Sequence, residues 1–112
     1  NNIGNFYLHG KGVAKDYDKA FEWYQKAVEL SGNAAAECSL GMCYQYGYGT
    51  KINYEKARCF YELSAKQGIG LAYYRMGLLY EQGLGVTKDV RTAKQYFGEA
   101  LDRGCREAAL KL

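Results

Sequence analysis

The stretch Leu40-Gly41-Met42-Cys43-Tyr44-Gln45-Tyr46-Gly47-Tyr48-Gly49 decides how this chain is read, because its outline returns twice. It recurs as Met76-Gly77-Leu78-Leu79-Tyr80-Glu81-Gln82-Gly83-Leu84-Gly85, and earlier as Ile3-Gly4-Asn5-Phe6-Tyr7-Leu8-His9-Gly10-Lys11-Gly12. The shared pattern is apolar-Gly-x-x-Tyr-x-x-Gly-x-Gly. Gly4, Gly41 and Gly77 lie 37 and then 36 positions apart. A fixed period of this size marks a solenoid, in which each unit buries its apolar face only against its neighbours.

Working outward from each copy, the spacing of apolar residues predicts helices. Residues 1–9 read as the tail of a helix, with Ile3, Phe6 and Tyr7 on one side, broken at Gly10-Lys11-Gly12. Asp16 suits an N-cap, and Tyr17 to Leu30 then carries a stripe of Ala20, Trp23, Tyr24, Ala27 and Val28. The second unit repeats the plan. A helix from Ala34 to about Tyr46 stops at Gly47 and Gly49, Asn53 caps, and Ala57, Phe60, Tyr61, Ser64 and Ala65 form the next stripe. The third runs from about Ile69 to Gln82, caps again at Asp89, and continues with Ala93, Tyr96, Phe97, Ala100 and Leu101. Gly32, Gly68 and Gly104 close the units, which gives repeats at about 1–32, 33–68 and 69–104, with 105–112 opening a fourth. Both ends cut through a repeat, so a longer parent array is expected. The fold class expected is all-α: a right-handed α/α solenoid of antiparallel helix pairs.

Composition narrows the function classes. The chain has 112 residues, a net charge of +3, twelve tyrosines and no proline. That charge is too mild for a nucleic-acid partner, which requires a dense basic patch. No run approaches the ~20 apolar residues of a membrane span. The four cysteines, at 38, 43, 59 and 105, form no C-x-x-C and have no histidine at zinc-finger spacing, so neither metal nor cofactor is expected. Their unpaired pattern tilts the otherwise open question of compartment toward the cytoplasm.

The repeated residues resemble the Sel-one-like repeat family, a relative of the tetratricopeptide repeats. The first copy matches the family pattern at Gly4, Tyr7, Gly10, Gly12, Val13, Asp16, Lys19, Ala20, Trp23, Tyr24, Lys26 and Ala27. The third matches at Ala72, Gly77, Tyr80, Gly83, Gly85, Val86, Asp89 and Ala93. Thr50 and Asn53 replace the usual Val and Asp of the second copy, and the proline common after the Val is missing throughout. A secreted, disulfide-stapled branch of the family would place cysteines near positions 28, 37, 65 and 73. Val28, Glu37, Ala65 and Tyr73 stand there instead, so the resemblance does not extend to that branch.

Candidate chemistry is thin. The glycine pairs follow helices and lack the Lys-Ser/Thr of a phosphate loop, so they read as helix exits. Cys43 matches Phe6 and Leu79 and reads as a packed thiol, whereas Cys59 matches Glu22 and Gln95 and reads as exposed. His9 matches Tyr46 and Gln82, which carries no fixed chemistry. No carboxylate pair recurs with the glycine framework, so no enzyme is expected. The resemblance implies that the first helix of each pair lines a concave face. The expected partner-binding residues are therefore Asn5 and His9, then Met42, Gln45 and Tyr46, then Tyr74, Leu78, Glu81 and Gln82, with Asn1, Leu8 and Cys38 beside them. Such a surface suits a peptide or partner helix, and the function expected is a non-catalytic adaptor or scaffold for another protein. The alternative is a ligand-binding or enzyme-associated module using a cysteine or His9. Self-association through the repeat ends is a further option, and RNA binding would need basic residues that this set lacks.

Overall fold

The computed structural model describes residues 17–112. The helix tail expected over residues 1–9, the Asp16 cap, Asn5 and His9 lie outside the described residues. Five helices follow one another: α1 (Tyr17–Ser31), α2 (Ala34–Tyr46), α3 (Tyr54–Lys66), α4 (Gly70–Gln82) and α5 (Val90–Asp102), then a short 3-10 helix, Arg106–Lys111. No strand occurs among the described residues. Each helix packs chiefly on its neighbours in sequence, most extensively α2 on α3 and α4 on α5. Packing dominated by neighbours in this way defines a solenoid.

Local chemistry sets the helix ends. Asn33, Asn53 and Asp89 sit in extended conformation, and each accepts a hydrogen bond from a backbone N–H three residues on: Ala36 at 2.9 Å, Lys56 at 3.1 Å and Thr92 at 3.1 Å. These satisfy donors that have no partner inside the helix. The exits depend on glycine. Gly47 (φ 75°) is left-handed, and its N–H returns to the Cys43 carbonyl, as Gly83 (φ 70°) returns to Leu79. The second glycine of the pair has another duty. A Cβ on Gly49 would collide with the backbone carbonyl of Tyr17, and one on Gly85 would lie 2.7 Å from Tyr54 Cβ. The turns of the second and third units thus rest against the first residue of the preceding unit's second helix. The loop is then strapped back, with the Asn53 N–H donating to the Tyr44 carbonyl at 2.8 Å and Asp89 to Tyr80 at 2.9 Å.

The core repeats in layers. Ala20, Ala57 and Ala93 are buried, and so are Tyr24, Tyr61 and Phe97. Ala36, Ala72 and Ala108, 36 apart, have no exposed surface. Gly41 and Gly77 let an aromatic ring of the paired helix lie on the backbone, Tyr61 on the one and Phe97 on the other. Two stripe residues depart from expectation. Trp23 and Leu101 are each 39% exposed. The equivalents of Trp23 are covered because Phe60 stacks on Tyr44 (5.7 Å, 2°) and Tyr96 on Tyr80 (5.5 Å, 21°). The matching tyrosine for Trp23 is Tyr7, outside the described residues.

Candidate partner-binding face

Met42, Gln45 and Tyr46 lie on α2, and Tyr74, Leu78, Glu81 and Gln82 lie on α4, but their environments differ. Tyr46 is the last residue of α2, held there by the left-handed turn at Gly47, and is 43% exposed. Its ring belongs to an aromatic row: Tyr48 is 5.5 Å away, and Tyr48 stacks on Tyr17 at 4.4 Å. Its hydroxyl accepts a 2.8 Å hydrogen bond from Arg75 Nη1, whose guanidinium lies 5.7 Å from the ring centroid. Tyr74 and Leu78 are half-buried against the cluster of Ala93, Phe97, Ala100, Cys105 and Ala108, with Tyr74 and Phe97 rings 5.7 Å apart. Met42 is half-buried on the main core, and Gln82 is exposed.

Gln45 does not behave as a surface residue. It is 5% exposed, and its Oε1 accepts from the buried Tyr61 hydroxyl at 2.6 Å. The phenol of α3 reaches through to α2 and needs a partner there, because a buried hydroxyl without one is costly. Cys38 is likewise buried, at 2%. Glu81 is half-buried and accepts from Lys111 Nζ at 3.1 Å. Two residues of this region escaped sequence reasoning. Arg75 is equivalent to Ser39 and sits outside the helical positions expected to face the groove, while Lys111 lies beyond the third repeat.

A second interlayer contact separates structural from functional polarity. Glu37 is 6% exposed, and its Oε1 accepts from Gln67 Nε2, which also donates to the Gly32 carbonyl at 3.2 Å. Burial pushes the Glu37 carboxyl upward, against the opposing pull of the Gln67 hydrogen bond. One layer on, the same two positions hold Tyr73 and Arg103, and the guanidinium lies 4.8 Å from the ring. These positions tie successive units together with interchangeable chemistry.

All four cysteines are free thiols, with Cys59 exposed and the rest buried. Burial pushes the Cys38 and Cys43 thiols up to about 12, far from the depressed values that activate a thiolate. Among the described residues, no group of three or more His, Cys, Asp or Glu side chains is placed to hold a metal ion. No described helix is long and apolar enough to cross a membrane. An open concavity of about 560 Å³ lies on α5 between Thr92, Gln95, Tyr96 and Asp102 and shares no residue with the expected face.

Glycine exits, side-chain caps and packing chiefly between neighbours together define an α-solenoid built from helical repeats. The chain belongs to the Sel1 repeat family, whose model matches residues 1–31, 34–69 and 70–105. It is 43% identical over 93 residues to the ERAD-associated E3 ubiquitin-protein ligase component HRD3B of Arabidopsis thaliana, a match covering 81% of this chain and 14% of that protein. It is 36% identical over 90 residues to mouse protein sel-1 homolog 2, covering 80% of this chain and 13% of that protein. The chain therefore spans about one-seventh of the length of these relatives. Among solved structures, a Sel1 repeat protein from Oxalobacter formigenes superposes with a TM-score of 0.85 at 34% identity, over 96% of this chain and 43% of that one. A protective antigen of uropathogenic Escherichia coli with an SLR fold superposes with a TM-score of 0.83 at 29% identity, over 96% of this chain and 23% of that one.

Proposed function

We propose that this chain is a non-catalytic scaffold segment that holds a partner protein or peptide on the face lined by α2 and α4. The observation that carries the reading is Tyr46. An aromatic side chain is 43% exposed, yet Arg75 fixes it in place instead of letting it collapse onto the core. Rigid, amphipathic rings of this kind bind with a small loss of conformational freedom. Half-buried Met42, Tyr74 and Leu78 add apolar surface beside it. One relative supports the class, since HRD3B is a ligase component and so assembles with other proteins. The high thiol values at Cys38 and Cys43 weigh against a cysteine-based alternative.

Affinity capture tests this with the full chain as bait beside two paired variants. Tyr46→Ala with Leu78→Ala should lose a partner that the wild type retains. Arg58→Ala with Lys94→Ala, on α3 and α5, should keep it. The reverse pattern, with all baits still folded by circular dichroism, would place the partner on the opposite face and refute the proposal.

A further inference from the structure

Three cations of the described chain are paired with a carboxylate. Arg58 pairs with Glu62 at 3.1 Å, Arg103 with Glu99 at 3.6 Å, and Lys111 with Glu81 at 3.1 Å. Arg75 differs. Its residue is half-buried, and among the described residues no carboxylate lies within ion-pair distance of it. Nη1 is spent on a neutral acceptor, the Tyr46 hydroxyl, and Nε is buried without a hydrogen-bond partner; Arg58 Nε is buried in the same way, but there Nη1 holds Glu62. A buried donor without an acceptor is costly, and more so on a charged group. A guanidinium is also a planar fork whose geometry matches a carboxylate.

The acidic groups of the same region are already engaged. Glu81 accepts from Lys111, and Glu107 accepts from the Cys105 thiol at 3.1 Å. The Glu107 carboxyl is held low first by that thiol hydrogen bond, with Arg75 the weakest contributor. Glu107 thus feels the charge of Arg75 while its hydrogen bond goes to Cys105. Tyr46 orients the fork from the α2 side, while Tyr74 and Leu78 flank it on α4 with half-buried apolar surface. With surface on both sides of the cation, a bound segment must run past it.

We infer that Arg75, oriented by Tyr46, is a carboxylate-binding subsite, and that the partner segment brings an internal Asp or Glu next to an apolar side chain that rests on Tyr74 and Leu78. This deepens the proposed function and depends on it. The bound carboxylate supplies the charged acceptor that Arg75 lacks, and the apolar neighbour sets the register.

The test is selection of random peptides on the full chain from two libraries, one with both peptide ends fused and one with free C-termini. Selected peptides are then titrated calorimetrically. The expected outcome is enrichment of an acidic residue beside an apolar one in the fused library. Glu→Gln in such a peptide should weaken binding at least about tenfold, and Arg75→Gln should weaken the parent peptide equally. The two changes together should cost no more than either alone, because they remove the same contact. Arg75→Lys, which keeps the charge, should retain part of the affinity and its salt dependence, so a poorly folded Arg75→Gln does not leave the matter open. Peptides that lose binding on Leu78→Ala yet ignore both Glu→Gln and Arg75→Gln would overturn the inference and leave the scaffold reading standing. Binders found only with free C-termini would overturn the internal acid. Binders indifferent to every substitution on this face, or none at all, would overturn both.

Discussion

Replacing Gly77 by alanine isolates the packing on which the helix pair depends. Alanine favours a helix interior over glycine by about 1 kcal/mol, so propensity alone predicts stabilisation. The environment opposes it. A Cβ at Gly77 would lie 2.5 Å from Phe97 Cε1, 2.7 Å from Cδ1 and 3.0 Å from Cζ. The ring cannot step aside freely, being 1% exposed and packed against Tyr74. Either the ring leaves its position or α4 moves off α5, and overpacking of this kind costs about 1–3 kcal/mol. With two ring atoms inside 3.0 Å, the upper part of that range applies, for a net loss of roughly 1–2 kcal/mol. Gly98 is the internal control. It lies within α5, and a Cβ there meets nothing within 4 Å, so Gly98→Ala should gain about 0.5–1 kcal/mol. Thermal melts followed by far-ultraviolet circular dichroism should separate the two variants by roughly 10 °C, given ~4–8 °C per kcal/mol for a domain of this size. Urea midpoints should move in the same order. If Gly77→Ala melts no lower than wild type, or both variants shift alike, the close approach of Phe97 to the α4 backbone is wrong.

Four further outcomes follow from the same packing and hydrogen bonds. Tyr44→Ala should lose about 3–5 kcal/mol of stability, since its ring stacks on Phe60 and meets Phe21 edge-on, while the exposed Tyr46→Ala should change urea midpoints far less. The Glu37 carboxyl is raised in the folded state, so the folded chain binds the extra proton and its contribution to stability is lost as pH rises through the folded value. Glu37→Gln should therefore unfold at higher urea than wild type near neutral pH and converge with it in acid. Asp89 has the opposite sign: the Thr92 backbone and hydroxyl hydrogen bonds hold its carboxyl low, so its stabilisation is present above the usual carboxylate range and fades as pH falls through the folded value. Asp89→Asn, which keeps a cap, should remove that acid-side dependence from the melting curve. In the native chain Cys59 should react with a thiol reagent at neutral pH well ahead of Cys38 and Cys43, whose thiols are pushed up to about 12. Cys59→Ser should abolish the fast phase and leave three thiols reactive only after unfolding.

The helices, the Asn53 and Asp89 caps and the glycine exits were legible in the residues because they depend on local chemistry, whereas the Asn33 cap was read only as the end of a helix pair. An Asn or Asp three residues before a backbone donor caps whatever lies elsewhere, and a glycine needed at positive φ is marked by being glycine. The repeat then extended this local reading to the layers, since Ala57 and Ala93, or Tyr61 and Phe97, must meet similar neighbours if the units stack regularly. What the repeat could not convey was how individual side chains reach between layers. Gln45 occupies a position expected to face a partner, yet it is buried because the phenol of Tyr61, sixteen residues away, needs an acceptor there. Arg75 stood at no expected groove position, yet its side chain is long enough to hydrogen-bond Tyr46 in the preceding layer and to bring a positive charge to a face expected to carry no basic residue. Periodicity assigns a backbone direction to each residue, and that direction settles short side chains such as Ala36 and Ala72. For Gln, Arg and Glu, several rotatable bonds lie between backbone and functional group, so the energy of finding a partner for a buried donor or acceptor decides where the group ends, and only the assembled layers show which partner is within reach.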